Sequence, residues 1–202
     1  MANIMVQWAE HYNGTLVEEF EQNSYISNFK PELRAGCCMT LCCCWMLSKG
    51  NVATFKGFIQ SKIGMNQVKG FQGLAVAAAG PASALGGYFT GYVKEIWAIF
   101  GIRNDNAVTT GVARNHSSVR TFVAATPGFY QLHFQSGTDN TGHAIAFRNT
   151  GDTLELFDPN YGMVSFGGSQ KAGNFDVFLK KLLVEFYPGL NGQWECVRGQ
   201  FP

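Results

Sequence analysis

The sequence predicts an α+β domain, with helices in its first part and an antiparallel sheet in its second. Two observations carry that prediction. Up to about residue 100 the apolar positions recur at helical spacing, and from Phe129 onward they form short, aromatic-rich runs bounded by Gly, Asn or Pro. A third observation fixes where the chemistry lies. Cys38 stands at a helix start, and His143 and Asp158 stand on two consecutive later strands.

The elements follow in order. Cys38, Leu41, Cys42 and Trp45 fall at i, i+3, i+4 and i+7 and make one stripe of a helix after Gly36. A second helix is expected from Val52 to Ile63 and a third over 91–100, stopped by Gly101, with breaks at Gly80-Pro81 and Gly86-Gly87. Strands are expected over Phe129–Gln135, His143–Arg148, Leu154–Asp158 and Met163–Phe166. Asn174 reads as the N-cap of an amphipathic helix running to Phe186, ended by Pro188-Gly189. Trp194 to Arg198 adds a last edge strand. There are no internal repeats. Residues 1–202 read as one domain, with 1–30 an N-terminal extension that serves as a secretion or pro-segment.

Composition excludes several function classes. A chain of 202 residues, 46% hydrophobic and with 17 Phe, can bury a core without disulfides or metals. A net charge of +1 gives neither a nucleic-acid groove nor a polybasic membrane face. Five of the six cysteines fall between Cys37 and Cys44, too crowded for a disulfide framework and without the loop spacing of a structural zinc site. Cys42, Cys43 and Cys44 therefore read as buried free thiols in a reducing compartment. Met1–Glu10 has neither the basic start nor the apolar core of a cleavable signal. Leu74 to Val93 is uncharged but built from Ala, Gly and Ser, so it reads as a segment packed inside a soluble domain rather than a membrane helix.

The candidate site rests on strand register. A turn centred between Thr150 and Gly151 opposes Arg148 to Thr153 and His143 to Asp158. Directly opposed residues have Cβ atoms roughly 4.5–5.5 Å apart, within reach of an imidazole–carboxylate hydrogen bond. A thiol is mostly protonated at neutral pH, and a helix N-terminus beside an imidazolium lowers its pKa. The carboxylate orients the base and supports its charged form. Cys38 is thus the candidate nucleophile, His143 the base and Asp158 the orienting group. Each residue alone has a plainer explanation: a packing cysteine, a core histidine, an Asp-Pro-Asn turn. Cys37 is the rival nucleophile but is rotated off the stripe. His133 has no obvious opposed carboxylate, and His11 and His116 lie in polar surroundings.

The motifs Gly36-x-Cys38-x-x-Leu41-x-x-x-Trp45, Gly142-His143-Ala144 and Phe157-Asp158-Pro159-Asn160-Tyr161-Gly162, with Phe166 following, resemble the YopT/AvrPphB group of bacterial effector cysteine proteases. Order and spacing match from Gly36 to about Phe186. The resemblance implies a papain-like fold, a Cys38/His143/Asp158 triad, no metal or organic cofactor, and cleavage of a host protein in the host cytoplasm after delivery by a specialised secretion system. It also implies a host substrate such as a small GTPase or a kinase; the charge and the small-residue stretch add the expectation of no nucleic-acid binding and no membrane insertion, and a monomer is expected. Deamidation, acyl transfer and amidase chemistry use the same triad, and a non-catalytic binding module is the reading from another class. The backbone N–H of Cys38 offers one oxyanion donor; no residue of the Glu32-Leu33-Arg34 stretch offers a second, and Asn28 is the nearest amide.

Overall fold

A computed structural model of the chain describes residues 4–27, 29, 36–84, 96–112, 115–138 and 141–200. In chain order the helices are α1 (Ile4–His11), α2 (Gln22–Ile26), α3 (Cys38–Leu47), α4 (Val52–Gln60), α5 (Lys62–Ala84), α6 (His116–Ala125) and α7 (Lys171–Lys181). The strands are β1 (Thr15–Glu18), β2 (Arg103–Gly111), β3 (Gly128–Gln135), β4 (Gly142–Asn149), β5 (Leu154–Asp158), β6 (Gly162–Phe166) and β7 (Trp194–Gln200). They pair antiparallel throughout, in the order β1-β6-β5-β4-β3-β7-β2. The expected α+β class is what the chain adopts.

Alternation along the strands divides the core between the two faces of this sheet. One face carries Ala144, Ala146, Phe157, Met163 and Val197 and receives α3, α4 and Trp97. The other carries Leu132, Phe147, Leu154, Val164 and Phe166 and receives α1, α6 and α7. Each fully buried Phe or Leu contributes about 1.5–3 kcal/mol of transfer free energy. The two clusters therefore hold the sheet rigid between them.

Helix α3 is buried from Met39 to Met46, on every side rather than along one stripe. A helix apolar all round belongs in a core, and polar anchors fix where it lies. Trp45 stacks on Phe157 with ring centroids 5.6 Å apart, and its indole N–H points to the Met163 sulfur at 3.2 Å. The Gln131 amide of β3 donates to the Met39 carbonyl at 3.2 Å, and the Cys42 thiol to the Ala144 carbonyl of β4 at 3.4 Å. All six cysteines are free, and all but Cys38 are buried.

Several elements differ from expectation. The helix expected over Val52–Ile63 breaks at Ser61, where α5 begins and runs on through Gly80 and Pro81. The side chains of 75–95, Gly86-Gly87, and most of the helix expected over 91–100 lie outside the described residues. The described end of that helix, 96–99, does stop at Gly101, which has φ +69°. No described helix is long and apolar enough to cross a membrane. Strand β7 is not an edge, because β2 pairs along its outer side. Helix α7 starts at Lys171 rather than at Asn174 and widens into a π turn over Leu182–Phe186 before Pro188. Within the stretch read as an extension, Met5 and Ala9 are fully buried and β1 pairs with β6.

Candidate active site

The start of α3, the start of β4 and the end of β5 converge at one end of the sheet. Gly36, at φ +115°, turns the chain into α3, and Cys38 is its first helical residue. The backbone N–H groups there have no intrahelical partner and concentrate partial positive charge beside the thiol. Cys38 is half-buried while Cys37 is closed off completely.

His143 is the second residue of β4 and Asp158 the last of β5. Nε2 of His143 lies 2.9 Å from Oδ1 of Asp158, and both side chains are buried. The register that brings them together is not the expected one. Arg148 pairs with Glu155 and Asn149 with Leu154, so the turn comprises Thr150 to Thr153, closed by a 3.0 Å hydrogen bond from Thr150 N–H to the Thr153 carbonyl. His143 therefore meets Asp158 on a diagonal rather than face to face. A slip of two residues keeps every side chain on its own face, and a diagonal of roughly 7–8 Å is within reach of these two side chains.

The turn after Asp158 is held rigid. Asn160 donates its backbone N–H to Oδ1 of Asp158 at 2.9 Å, and Gly162 pairs with Asp158 across the β5–β6 turn. Gly162 has φ +115°, and a Cβ there would lie 2.2 Å from the Glu18 carbonyl oxygen. Only glycine fits, which accounts for its place in the motif.

Three further residues complete the site: Asn160, quoted in the sequence reading only as part of a turn motif, and Tyr187 and Gln22, which it did not single out. Tyr187, just after the π turn, donates its hydroxyl to both oxygens of Asp158, at 2.9 and 2.7 Å, and stacks on the His143 ring with centroids 4.6 Å apart. Asn160 donates its amide to the Tyr187 oxygen at 3.0 Å and accepts from the Gln22 amide. Gln22 in turn accepts the backbone N–H of Cys37 at 3.1 Å. Gln22 lies far upstream of the cysteine, where no local signal marks it. Asn28 lies outside the described residues.

Electrostatics separate Cys38 from the other thiols. Burial alone would raise its pKa, but the charge of His143 and a hydrogen bond to it outweigh that and hold it below the ordinary thiol value. For His143, burial works against the imidazolium, yet Asp158 and the Cys38 thiolate push its pKa up to about 10. Nε2 faces Asp158, so Nδ1 is the nitrogen left for the thiol. Burial raises Cys37, Cys42, Cys43 and Cys196, and brings Cys44 up to about 12. His133 does oppose a carboxylate, Glu195 on β7, contrary to expectation. Burial, aided by the nearby charge of His143, nevertheless drives its pKa down to about 3, so it stays neutral.

The fold corresponds to the papain-like α+β class. The structure is similar to the crystal structure of the Pseudomonas avirulence protein AvrPphB, with a TM-score of 0.63 and 19% identity over 87% of this chain and 99% of that one. The model of the C58 peptidase family, described as Yersinia/Haemophilus virulence surface antigen, matches residues 100–195; it takes in His143 and Asp158 and leaves Cys38 outside. The family model thus covers the strand-rich part of the chain, and the structural match extends the likeness in fold to most of its length. The YopT domain of the Pasteurella multocida PfhB2 toxin also aligns, at 14% identity and a TM-score of 0.32, over 92% of this chain and 93% of that one. No curated protein sequence matches the chain.

Proposed function

We propose that this chain is a cysteine endopeptidase that cuts a host protein after delivery as a bacterial virulence effector, with Cys38, His143 and Asp158 as its catalytic triad. The observation that carries this reading is the buried His143–Asp158 contact of 2.9 Å beside a half-buried thiol at a helix start. The Cys38 thiolate attacks the scissile carbonyl, and the tetrahedral oxyanion collapses to a thioester as His143 gives its proton to the leaving amine. Water, deprotonated by the now neutral His143, then attacks the thioester and frees the carboxylate product and the thiol. Asp158 holds the ring and supports its charge through both steps.

The oxyanion needs two donors. The Cys38 backbone N–H is one. We assign the second to the Gln22 amide, which is buried at the helix start and gives one of its two protons to Asn160.

Host-cell lysate treated with wild-type protein or with Cys38→Ala tests the function, with mass spectrometry of new protein termini as the readout. New internal termini in a small set of proteins, present only with the wild type, are expected. Identical terminus profiles from the two folded proteins would remove the protease reading.

A further inference from the structure

We infer that Tyr187 is a positioning residue, which holds the His143–Asp158 pair in its working geometry and links it through Asn160 to Gln22 and the start of α3. The inference rests on the triad reading above and adds to it a residue outside the triad. Its basis is the density of directed contacts on one phenol. The Tyr187 hydroxyl donates to Oδ2 of Asp158 at 2.7 Å and to Oδ1 at 2.9 Å, and lies 2.9 Å from Nε2 of His143. The Asn160 amide donates to the same oxygen at 3.0 Å. The ring lies nearly parallel to the imidazole, at 24°, while Phe134 meets both rings edge-on, at 88° and 78°.

A phenol that only filled space would not need this arrangement. The stack closes one face of the imidazole against water and against rotation about the Cβ–Cγ bond. The hydroxyl anchors the carboxylate, so Asp158 keeps one oxygen presented to Nε2. The wide turn of Leu182–Phe186 delivers Tyr187 to this place; such single π turns recur at functional sites. From Tyr187 the chain of hydrogen bonds runs through Asn160 and Gln22 to the Cys37 backbone N–H. The base side and the nucleophile side of the site are thereby tied by one path of side chains.

The ionisable groups that act on this pair from the packed elements are Cys38 and Cys42 of α3, His133 of β3 and Tyr161 after β5. His133 stays neutral and Cys42 stays protonated, so the working charges are those of Cys38, His143 and Asp158. Without the Tyr187 hydroxyl, the Asp158 charge loses a donor in a dry site. The imidazolium's counter-charge then costs more to keep, and the Cys38 thiolate needs a higher pH to form.

The test is the pH dependence of Cys38 alkylation by iodoacetamide, read by peptide mass spectrometry on the full chain, with thermal unfolding run in parallel. Tyr187→Phe keeps the stack and removes the hydroxyl. Its acid limb should move to higher pH, with labelling on that limb about tenfold slower than in the wild type. Asn160→Ala, at a less buried position, should move the limb the same way by less, and it decides the matter if Tyr187→Phe does not fold. His143→Ala separates the two readings. If it moves the limb and neither Tyr187→Phe nor Asn160→Ala does, Tyr187 only packs and this inference is overturned while the triad stands. If His143→Ala also leaves the limb in place, the triad reading falls and the inference with it.

Discussion

His143 and Asp158 make a diagonal contact between neighbouring strands: Nε2 and Oδ1 lie 2.9 Å apart, with the histidine near the start of β4 and the aspartate at the end of β5. Asp158→Asn keeps the size of the side chain and removes the charge that supports imidazolium. The equivalent change in serine chemistry costs about four orders of magnitude in turnover. The loss here should be smaller, about two to three orders, because a thiol at a helix start ionises more readily than a hydroxyl. Turnover of a substrate found in the lysate experiment, with circular dichroism to confirm folding, checks it.

Only one thiol should react under native conditions. Cys38 retains exposure and a lowered pKa, while Cys37, Cys42, Cys43, Cys44 and Cys196 are buried with raised values. Brief iodoacetamide treatment near neutral pH should label Cys38 alone, and denaturation should release the rest. Cys37→Ala should keep most of the activity and the same labelling; equal loss in Cys37→Ala and Cys38→Ala would contradict the choice of nucleophile.

Gly162→Ala tests the turn that fixes Asp158. The new Cβ would lie 2.2 Å from the Glu18 carbonyl, at a backbone φ of +115° that side chains rarely adopt. A stability loss of about 2–3 kcal/mol is expected from the strain alone, measurable by urea unfolding. The β1–β6 edge should loosen as well, seen as faster amide exchange from Thr15 to Glu18.

The raised pKa of His143 has a definite sign for stability. Its folded value of about 10 lies above the ordinary 6.5, so the stabilisation it contributes is full below the ordinary value and is lost as pH rises toward the folded one. The stability difference between wild type and His143→Gln should therefore shrink between those two values and level off above about pH 10, where only the contribution of the neutral ring remains. A difference that grows with pH across that window would reverse the assignment.

Much of the sheet is legible in the sequence because its central strands are short apolar runs between turn residues. Leu154–Asp158 has the bounds read for it, and β3, β4 and β6 differ only by the residue or two that flank them. Strands β1 and β2 carry no such signal. Thr, Asn and Gly dominate β2, and its strand character comes from pairing with β7 rather than from its own pattern. Helix α6 opens with the polar His116-Ser117-Ser118, and only Val119 and Val123 of it are fully buried. The three candidate residues are legible because each sits beside its own local marker: a glycine before the helix, a glycine opening the strand, an Asp-Pro-Asn turn. Gln22 and Tyr187 have no such marker. They reach the site through tertiary packing of α2 and the π turn.

In the proposed triad His143 and Asp158 ionise the Cys38 thiol, and thiolate absorbance in the ultraviolet measures this directly. The spectrum of Cys38→Ser subtracted from that of the wild type isolates one thiol of six, and the same subtraction in a His143→Ala background isolates the contribution of the imidazole. A thiolate signal well below the ordinary thiol range of about 8.5 is expected in the wild type, lost when His143 is removed. A thiol that titrates at its ordinary value in both backgrounds would mean that His143 does not ionise Cys38.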